Sequence, residues 1–245
     1  MRPFRLVVAI FFCAATAAAQ EVSTLIVPVV GSTFGSGMIR WMTDVELRNE
    51  TALEVDVAVE LPSAPEAPAF LLTLAPGQSQ RFTDIVGQAF GMDSVLSPLR
   101  VTTGSRRSVT VRAHAYAVRE GQISPLQPID TYSTDTYFPI RVLDGLAFSD
   151  AQRTNIGLVN FSDQEATFVL SLQRVAGRNM AAVQIRVAAG GLVHTSLQSL
   201  FPVVSKGTGF SVVVETPFRE THVYASVIEN DTNGARFIVP RLGSR

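Results

Sequence analysis

The sequence predicts an all-β protein that consists of two tandem copies of one β-sandwich. Three observations support this fold class: apolar residues recur with a period of two, turn-forming residues separate the apolar runs, and the two halves of the chain align with each other. The chain has 245 residues, of which 47% are hydrophobic and 17% are charged. This composition is typical of globular proteins, and the length is sufficient for two domains that each bury a core.

The alternation is clearest in residues 54–61, where every odd position is apolar and every even position is acidic or small. Residues 109–116 and 167–172 repeat the pattern. Successive side chains of a strand lie on opposite faces, so the alternation predicts strands with one buried face. Several such strands within about 100 residues are typical of a sandwich or barrel.

The duplication is visible in two pairs of segments. Residues 43–49 align with residues 154–160, which lie 111 positions later, and both segments end in Asn. Residues 111–115 align with residues 223–227, 112 positions later. Order is kept and insertions are small, so the sequence predicts two copies of one domain.

Four segments follow from this alignment: a signal peptide at residues 1–19, a first domain at 20–118, a linker at 119–136 and a second domain at 137–245. The linker is assigned because it is polar and contains two prolines.

Three short apolar runs each contain a proline, and these prolines are Pro28, Pro139 and Pro240. Proline donates no ladder hydrogen bond, so these runs are expected to be edge strands or strand starts. The last run either completes the second sandwich or pairs with the first unit.

The N-terminus predicts export. Arg2 and Arg5 form a positively charged start, and an apolar stretch follows at residues 6–13. This stretch is shorter than the roughly 20 residues of a membrane-spanning helix. Three alanines at 17–19 form a small-residue cleavage site. The single cysteine, Cys13, lies before that site, so the exported chain is expected to contain no disulfide and no transmembrane segment. We expect a periplasmic or extracellular protein, and the absence of disulfides favours a bacterial envelope.

Each copy is also expected to contain one short helical turn. Thr83 or Asp84 is placed to cap a helix that begins at Ile85 in the first copy. Ser196 and Leu197 occupy the equivalent place in the second copy.

The strand that ends in Leu-x-Asn, at residues 45–49 and again at 156–160, is followed by a polar turn and an alternating strand. This pattern resembles the immunoglobulin-like domains of secreted bacterial proteins. The resemblance implies an all-β chain of two tandem immunoglobulin-like β-sandwiches from an internal duplication. Two such domains behind a signal peptide are also similar in layout to periplasmic pilus chaperones. Sandwiches have many unrelated roles, so the resemblance concerns the fold.

Asn49 and Asn160 both match the glycosylation acceptor pattern Asn-x-Ser/Thr. They lie at equivalent turns of the two copies, where Asn suits the backbone conformation. We favour the turn interpretation over glycosylation.

The sequence predicts no catalytic site, no metal site and no cofactor. His114, His194 and His222 are isolated from one another, and we interpret each as a surface or strand-filling residue. The formal net charge of −1 gives no electrostatic reason to expect nucleic acid as a partner.

The candidate binding loop follows the first strand and contains Phe34, Met38, Arg40 and Trp41. Aromatic residues and Arg are enriched at binding hot spots, and loops on a rigid sandwich are common binding sites. The alternative is that these side chains cap the open end of the core or fill the interface between the units.

The expected function is therefore that of an exported, non-enzymatic interaction or structural module that binds a protein or a surface polymer. Two alternatives remain at this stage. One is a chaperone-like assembly accessory protein, which would receive a client segment along residues 24–30. The other is a carbohydrate-binding or carbohydrate-active accessory protein, with an enzyme as the less favoured form.

Overall fold

The computed structural model describes residues 22–35, 39–105, 108–133, 138–174 and 178–243. The first unit consists, in chain order, of β1 (Ser23–Phe34), β2 (Arg40–Asn49), β3 (Val55–Glu60), β4 (Phe70–Leu74), β5 (Ser79–Phe82), α1 (Ile85–Phe90), β6 (Val95–Thr103), β7 (Val109–Arg119), β8 (Gln122–Ile123), β9 (Gln127–Ile129) and β10 (Tyr132–Ser133). The second unit consists of β11 (Ile140–Phe148), β12 (Gln152–Asn160), β13 (Ala166–Arg174), β14 (Arg178–Val187), β15 (Leu192–Ser196), α2 (Leu197–Leu200), β16 (Gly207–Glu215), β17 (Thr221–Glu229), β18 (Ala235–Ile238) and β19 (Arg241–Leu242). The prediction of an all-β chain with a short helix in each copy is confirmed.

The strands of each unit form antiparallel ladders in two layers. In the first unit, one layer has the order β4-β3-β6-β1-β10 and the other has the order β5-β2-β7-β9. The second unit repeats both orders as β14-β13-β16-β11-β19 and β15-β12-β17-β18. The end of β1 also pairs with β2, and this pairing joins the two layers of the first unit. Because each layer order recurs with equivalent strands, the internal duplication is confirmed.

The connectivity at the sandwich edges differs from the immunoglobulin pattern. In immunoglobulin constant-type domains the first strand lies beside the second, and the last strand lies beside the sixth. Here the first strand, β1, pairs along most of its length with the sixth, β6, whereas β7 pairs with β2. The antiparallel sandwich is therefore confirmed, whereas an immunoglobulin-like connectivity is not.

The helices lie where the sequence places them. The Asp84 side chain accepts a hydrogen bond from the backbone N–H of Gly87 and caps α1, and Ser196 accepts one from Ser199 and caps α2. Asp84 has a φ of 59°, a left-handed conformation that Asp tolerates better than most residues. Capping therefore satisfies backbone donors that a helix start leaves free.

The three prolines interrupt strand pairing in different ways. Pro28 lies inside β1, at a register shift between Val27 and Val30, so it occupies a bulge rather than a strand start. Pro139 directly precedes β11, as predicted, and Pro240 separates β18 from β19. The C-terminal run completes the second unit, because β18 pairs with β17 and β19 pairs with β11.

The polar segment assigned as a linker, 119–136, contains β8, β9 and β10 in its described part. β9 pairs with β7, and β10 pairs with β1, so residues 127–133 are part of the first sandwich. They occupy the places that β18 and β19 occupy in the second unit. The predicted signal peptide at 1–19 lies outside the described residues. Of the helices that the structure describes, neither is long and apolar enough to cross a membrane.

Each unit has its own hydrophobic core. The alternating strand residues form it as predicted, with Val57 and Val59 in the first core and Phe168 and Leu170 in the second. Leu143 and Leu146 of β11 are also fully buried in the second core.

The two units are in direct contact. Val159, Phe161 and Tyr224 of the second unit pack into the hydrophobic cluster of the first. The Ser63 hydroxyl donates to the Gly190 carbonyl at 3.0 Å, and an Arg100 guanidinium nitrogen donates to the Phe161 carbonyl at 3.0 Å.

Asn49 closes the turn after β2 with its buried amide. Its Nδ2 group donates to the carbonyls of Leu53, Leu74 and Ala75 at 2.7–3.1 Å. Its Oδ1 atom accepts from the backbone and the hydroxyl of Thr51. One side chain thus ties the β2–β3 turn to the end of β4.

Asn160 makes the same contacts in the second unit. Its Nδ2 group donates to the carbonyls of Gln164, Val187 and Ala188, and its Oδ1 atom accepts from the backbone and the hydroxyl of Ser162. Both Asn residues are fully buried. Their matched positions in the sequence therefore reflect a turn-closing role.

We expect Asn49→Ala and Asn160→Ala each to lower the free energy of unfolding by about 1–3 kcal/mol, because buried carbonyls lose their donor. Urea unfolding measures this change. Asn179→Ala serves as control, since Asn179 is exposed on β14, and its effect should be within about 0.5 kcal/mol. An unchanged urea midpoint for both Asn49→Ala and Asn160→Ala would contradict the assigned role.

Candidate ligand-binding cleft between the two units

A cleft of about 400 Å³ lies between the first and second units. Its volume falls within the range of small-ligand pockets, about 300–1,000 Å³. The first unit contributes a mainly apolar wall from β1, β2, β6, β7 and β9, and this wall includes Phe34, Trp41 and Met42. The second unit contributes a more polar wall from β12, β15, β17 and β18.

The polar wall is the outer face of the β15-β12-β17-β18 sheet. Arg153 and Asn155 alternate along β12 with Thr154, which is buried, so both present their side chains to the cleft. Asn155 lies opposite Ser226 of β17 in the ladder, and His194 of β15 lies opposite Gly157. The ladder thus sets Arg153, Asn155, His194 and Ser226 side by side.

Tyr224 fixes the position of this wall against the first unit. A Cβ atom on Gly157 would lie 2.0 Å from Cε1 of Tyr224, so the ring lies directly on the glycine backbone. The Tyr224 hydroxyl is hydrogen-bonded to Nδ1 of His194 at 2.8 Å. The ring itself belongs to the hydrophobic cluster of the first unit. One side chain therefore links the two units and orients a cleft residue.

Burial keeps the groups around Tyr224 neutral. It lowers the pKa of His194 to about 4 and raises the pKa of the Tyr224 hydroxyl well above its ordinary value. Near neutral pH, His194 therefore takes part in the cleft as an uncharged imidazole.

Arg153 is the charged side chain among the described residues of the cleft lining. Its Nη1 group donates to Oδ1 of Asn230 at 2.7 Å, which is a neutral acceptor. Burial lowers the pKa of Arg153, although guanidinium stays protonated in proteins. In the described parts of the chain, Arg153 forms no ion pair with a carboxylate. Its positive charge is therefore not neutralised by any carboxylate of the residues that the structure describes.

The residues of the predicted binding loop separate in the structure. Phe34 and Trp41 line the cleft, and Phe34 is 63% exposed. The Trp41 ring packs on Gly35, where a Cβ atom would lie 2.9 Å from its Nε1 atom. Met38 lies outside the described residues.

Arg40 has a structural partner outside the cleft. Its Nη2 group donates to the Ser32 hydroxyl at 2.7 Å and lies 3.3 Å from an Asp84 carboxylate oxygen. Its guanidinium also lies over the Phe34 ring, 5.9 Å from the centroid. Arg40 thus connects β1, β2 and the start of α1, and it packs against the ring of Phe34.

The polar residues of the second-unit wall were not selected from the sequence. Arg153 and Asn155 lie within an alternating strand, where polar residues on one phase indicate a solvent-facing side. Gly157 is the one residue of this strand that could have indicated a contact on that face, because a glycine inside a strand often marks a close approach of other groups.

His222 is buried and His194 is partly buried, and both lie in strands, β17 and β15 respectively. The His222 ring lies 3.8 Å from the Tyr132 ring, centroid to centroid, and its Nε2 atom has no hydrogen-bond partner among the residues that the structure describes. Burial, and secondarily the charge of Arg141, lowers its pKa to about 3. His222 therefore fills space between β10 and the second unit as a neutral ring.

Within the described ranges, no group of three or more His, Cys, Asp or Glu side chains is placed to hold a metal ion.

No known protein family matches the chain, and no curated protein is similar to it. Among solved structures, it is similar to Thermotoga maritima 1070, with a TM-score of 0.38 and 10% identity over 44% of this chain and 97% of that one. It is also similar to Bacteroides uniformis beta-glucuronidase 2, with a TM-score of 0.17 and 12% identity over 83% of this chain and 25% of the enzyme. The matched region is thus a quarter of that enzyme's length, and similarity at these levels carries no argument about function.

Acid is expected to destabilise the fold through His194 and His222. Their folded-state pKa values of about 4 and about 3 lie below the ordinary value of 6.5, so the unfolded chain binds more protons as the pH falls. Their contribution to stability is complete above pH 6.5 and is lost on acidification toward pH 4 and below. We expect the free energy of unfolding at pH 4.5 to be roughly 4–5 kcal/mol lower than at pH 7.

Urea unfolding of the double variant His194→Gln/His222→Phe tests the assignment over the same pH range. Phe at position 222 keeps a ring against Tyr132 and removes the unpaired nitrogen. The dependence on pH between 7 and 4.5 should become shallower, and an unchanged slope would mean that other groups cause it.

Gly157→Ala should separate the cleft wall from the first unit, because the added methyl group overlaps the Tyr224 ring. We expect a loss of stability of about 2–4 kcal/mol, measured by urea unfolding. Gly207→Ala is the matched control, since its Cβ would meet its neighbours at 3.4–3.5 Å. Equal effects of the two substitutions would contradict the role assigned to Gly157.

Proposed function

We propose that this chain is an exported, non-enzymatic interaction module that binds a protein or a surface polymer through the cleft between its two units. The observation that carries the proposal is the pairing of an aromatic wall, with Phe34 and Trp41, and a polar wall that contains Arg153, Asn155 and Ser226. Pockets of this kind, mainly apolar with a few convergent polar groups, are the usual form of a ligand site.

The chemistry of the lining supports binding rather than catalysis. Arg153 carries a permanent charge, and His194 is hydrogen-bonded to Tyr224 with a pKa far below neutral. A general base is most effective with a pKa near the working pH, and neither side chain meets that condition at pH 7. The lining offers hydrogen bonds, aromatic surface and one positive charge.

Export to the periplasm or the extracellular space is part of the proposal. It is supported by the pattern of residues 1–19, with basic residues before a short apolar stretch and alanines after it. The remainder of the chain has no cysteine, so its fold is independent of the redox state of the compartment.

The chaperone-like alternative receives less support from the fold. It requires an open strand edge along residues 24–30, but β1 pairs with β6 over most of this stretch and with β10 at Leu25 and Ile26. The carbohydrate-binding alternative is favoured by the aromatic and polar lining of the cleft.

The proposal is tested by capture from envelope and culture-medium fractions of the source organism with the immobilised exported chain. Trp41→Ala and Phe34→Ala should each reduce capture at least about tenfold, the effect of losing a hot-spot aromatic residue. Phe34→Ala should leave the melting temperature nearly unchanged, because its side chain is mostly exposed.

Leu71→Ala is the matched control, because Leu71 is a 73% exposed apolar residue on β4, outside the cleft. It should capture the same material as the unmodified chain. Equal capture by all four proteins would place binding elsewhere. A large loss of stability in Trp41→Ala without loss of capture would instead show that Trp41 serves the core.

A further inference from the structure

The cleft contains a positive charge that no carboxylate of the described residues balances. Arg153 lines the cleft and is about half-buried, and it donates a hydrogen bond to the neutral side chain of Asn230. None of the described lining residues is Asp or Glu. A partly desolvated cation gains most from an anionic partner, and guanidinium is suited to carboxylate geometry. The ligand group nearest to Arg153 is therefore expected to be an anion.

The other polar groups of the cleft suit a ligand that both donates and accepts hydrogen bonds. The side chains of Asn155 and Ser226 face the cleft, and no protein group in the described ranges is hydrogen-bonded to either. Asn has donor and acceptor groups, and a Ser hydroxyl acts as either. Hydroxyl groups, which have the same dual capacity, match both.

The part of the polar wall that β12 and β17 form is the face of a sheet and not its edge. The backbone N–H and C=O groups of β12 and β17 are already used in ladders with β15, β18 and each other. A peptide that binds by strand addition needs free backbone groups at an edge. At Arg153, Asn155 and Ser226, recognition must therefore occur through side chains and not through strand addition.

Both walls supply flat apolar surface. Trp41 and Phe34 from the first unit and Phe237 from β18 of the second unit line the cleft. Aromatic faces pack on apolar surfaces of matching flatness, and C–H groups carry the positive charge that an aromatic face attracts. A sugar ring presents C–H groups on its faces and hydroxyl groups around its rim, and so fits between these two walls.

We propose that the ligand is an acidic polysaccharide, one sugar of which enters the cleft with its carboxylate against Arg153. This inference rests on the proposed function, because it names the ligand class for the same cleft. The aromatic wall contacts the ring faces, Asn155 and Ser226 contact hydroxyl groups, and Arg153 distinguishes acidic from neutral sugars.

The probes are trimers of galacturonate, glucuronate, mannuronate and guluronate, each with its carboxyl-reduced, neutral counterpart. Trp41 is the single tryptophan of the chain and lines the cleft, so its emission reports occupancy directly. At least one acidic trimer should bind, and its neutral counterpart should bind at least about tenfold more weakly, as expected for the loss of a charge-assisted hydrogen bond.

Arg153→Gln should reduce the affinity for the acidic trimer to that for the neutral one and leave the neutral one unchanged. Arg236→Gln is the matched control, because Arg236 is an exposed Arg on β18 that lies on the opposite phase from the lining residues Ala235 and Phe237. It should bind like the unmodified chain. Melting temperatures of both variants verify folding.

Equal binding of acidic and neutral trimers, no binding of any trimer, or unchanged affinity in Arg153→Gln would each overturn the inference. Binding of an oligoglutamate peptide in preference to the trimers would overturn it in favour of a protein ligand. Failure of the proposed function is a different result. It would be seen if Trp41→Ala and Phe34→Ala captured as much material as the unmodified chain. If Trp41→Ala and Phe34→Ala reduce capture but Arg153→Gln does not, the proposed function stands and the acidic ligand is rejected.

Discussion

The packing of Tyr224 on Gly157 is the contact on which the arrangement of the two units depends. The ring needs the space that a side chain at position 157 would occupy, and it enters the hydrophobic cluster of the first unit. Its hydroxyl group then holds His194 at the cleft. The same contact therefore joins the units and sets the distance between the aromatic and polar walls.

This contact arises from divergence between two copies of one sandwich. In the first copy, the outer face of the central ladder pairs Glu46 with Arg112, and Asp44 with His114. In the second copy, the equivalent positions pair Gly157 with Tyr224 and Asn155 with Ser226, and these four residues are uncharged. A charged face suits solvent, whereas a neutral face can be covered. The second copy has thus changed the residues that allow it to cover the first without changing its strand order.

The fold was predictable to a large extent because it depends on local patterns. The alternation in residues 54–61 and the matched turns at Asn49 and Asn160 follow from strand periodicity and turn chemistry, and the structure places them as expected. The edge connectivity was not predictable, because the pairing of β1 with β6 joins residues about 70 positions apart without any local preference.

The cleft was predictable only from its first-unit side. Phe34 and Trp41 were selected because aromatic residues are enriched at binding hot spots, and both line the cleft. Arg40 was selected with them, but adjacent strand residues face opposite ways, and it pairs with Asp84 instead. The second-unit wall required the relative position of the units, which a single sequence does not contain. In retrospect, comparing the two copies gives that information, since loss of charge on one face identifies the covered side.

The two copies differ at the position of Arg153. The position equivalent to Arg153 in the first copy is Met42, within the same strand order and the same register against the last long strand. A β-sandwich of this type therefore forms with an apolar residue at that place, and the fold does not require a guanidinium group there. Burying part of an unbalanced charge costs free energy, whereas Met at the same place would not. A contact with a ligand in the cleft therefore explains Arg153 better than a contribution to the stability of the sandwich does. This is the physical basis for an anionic ligand.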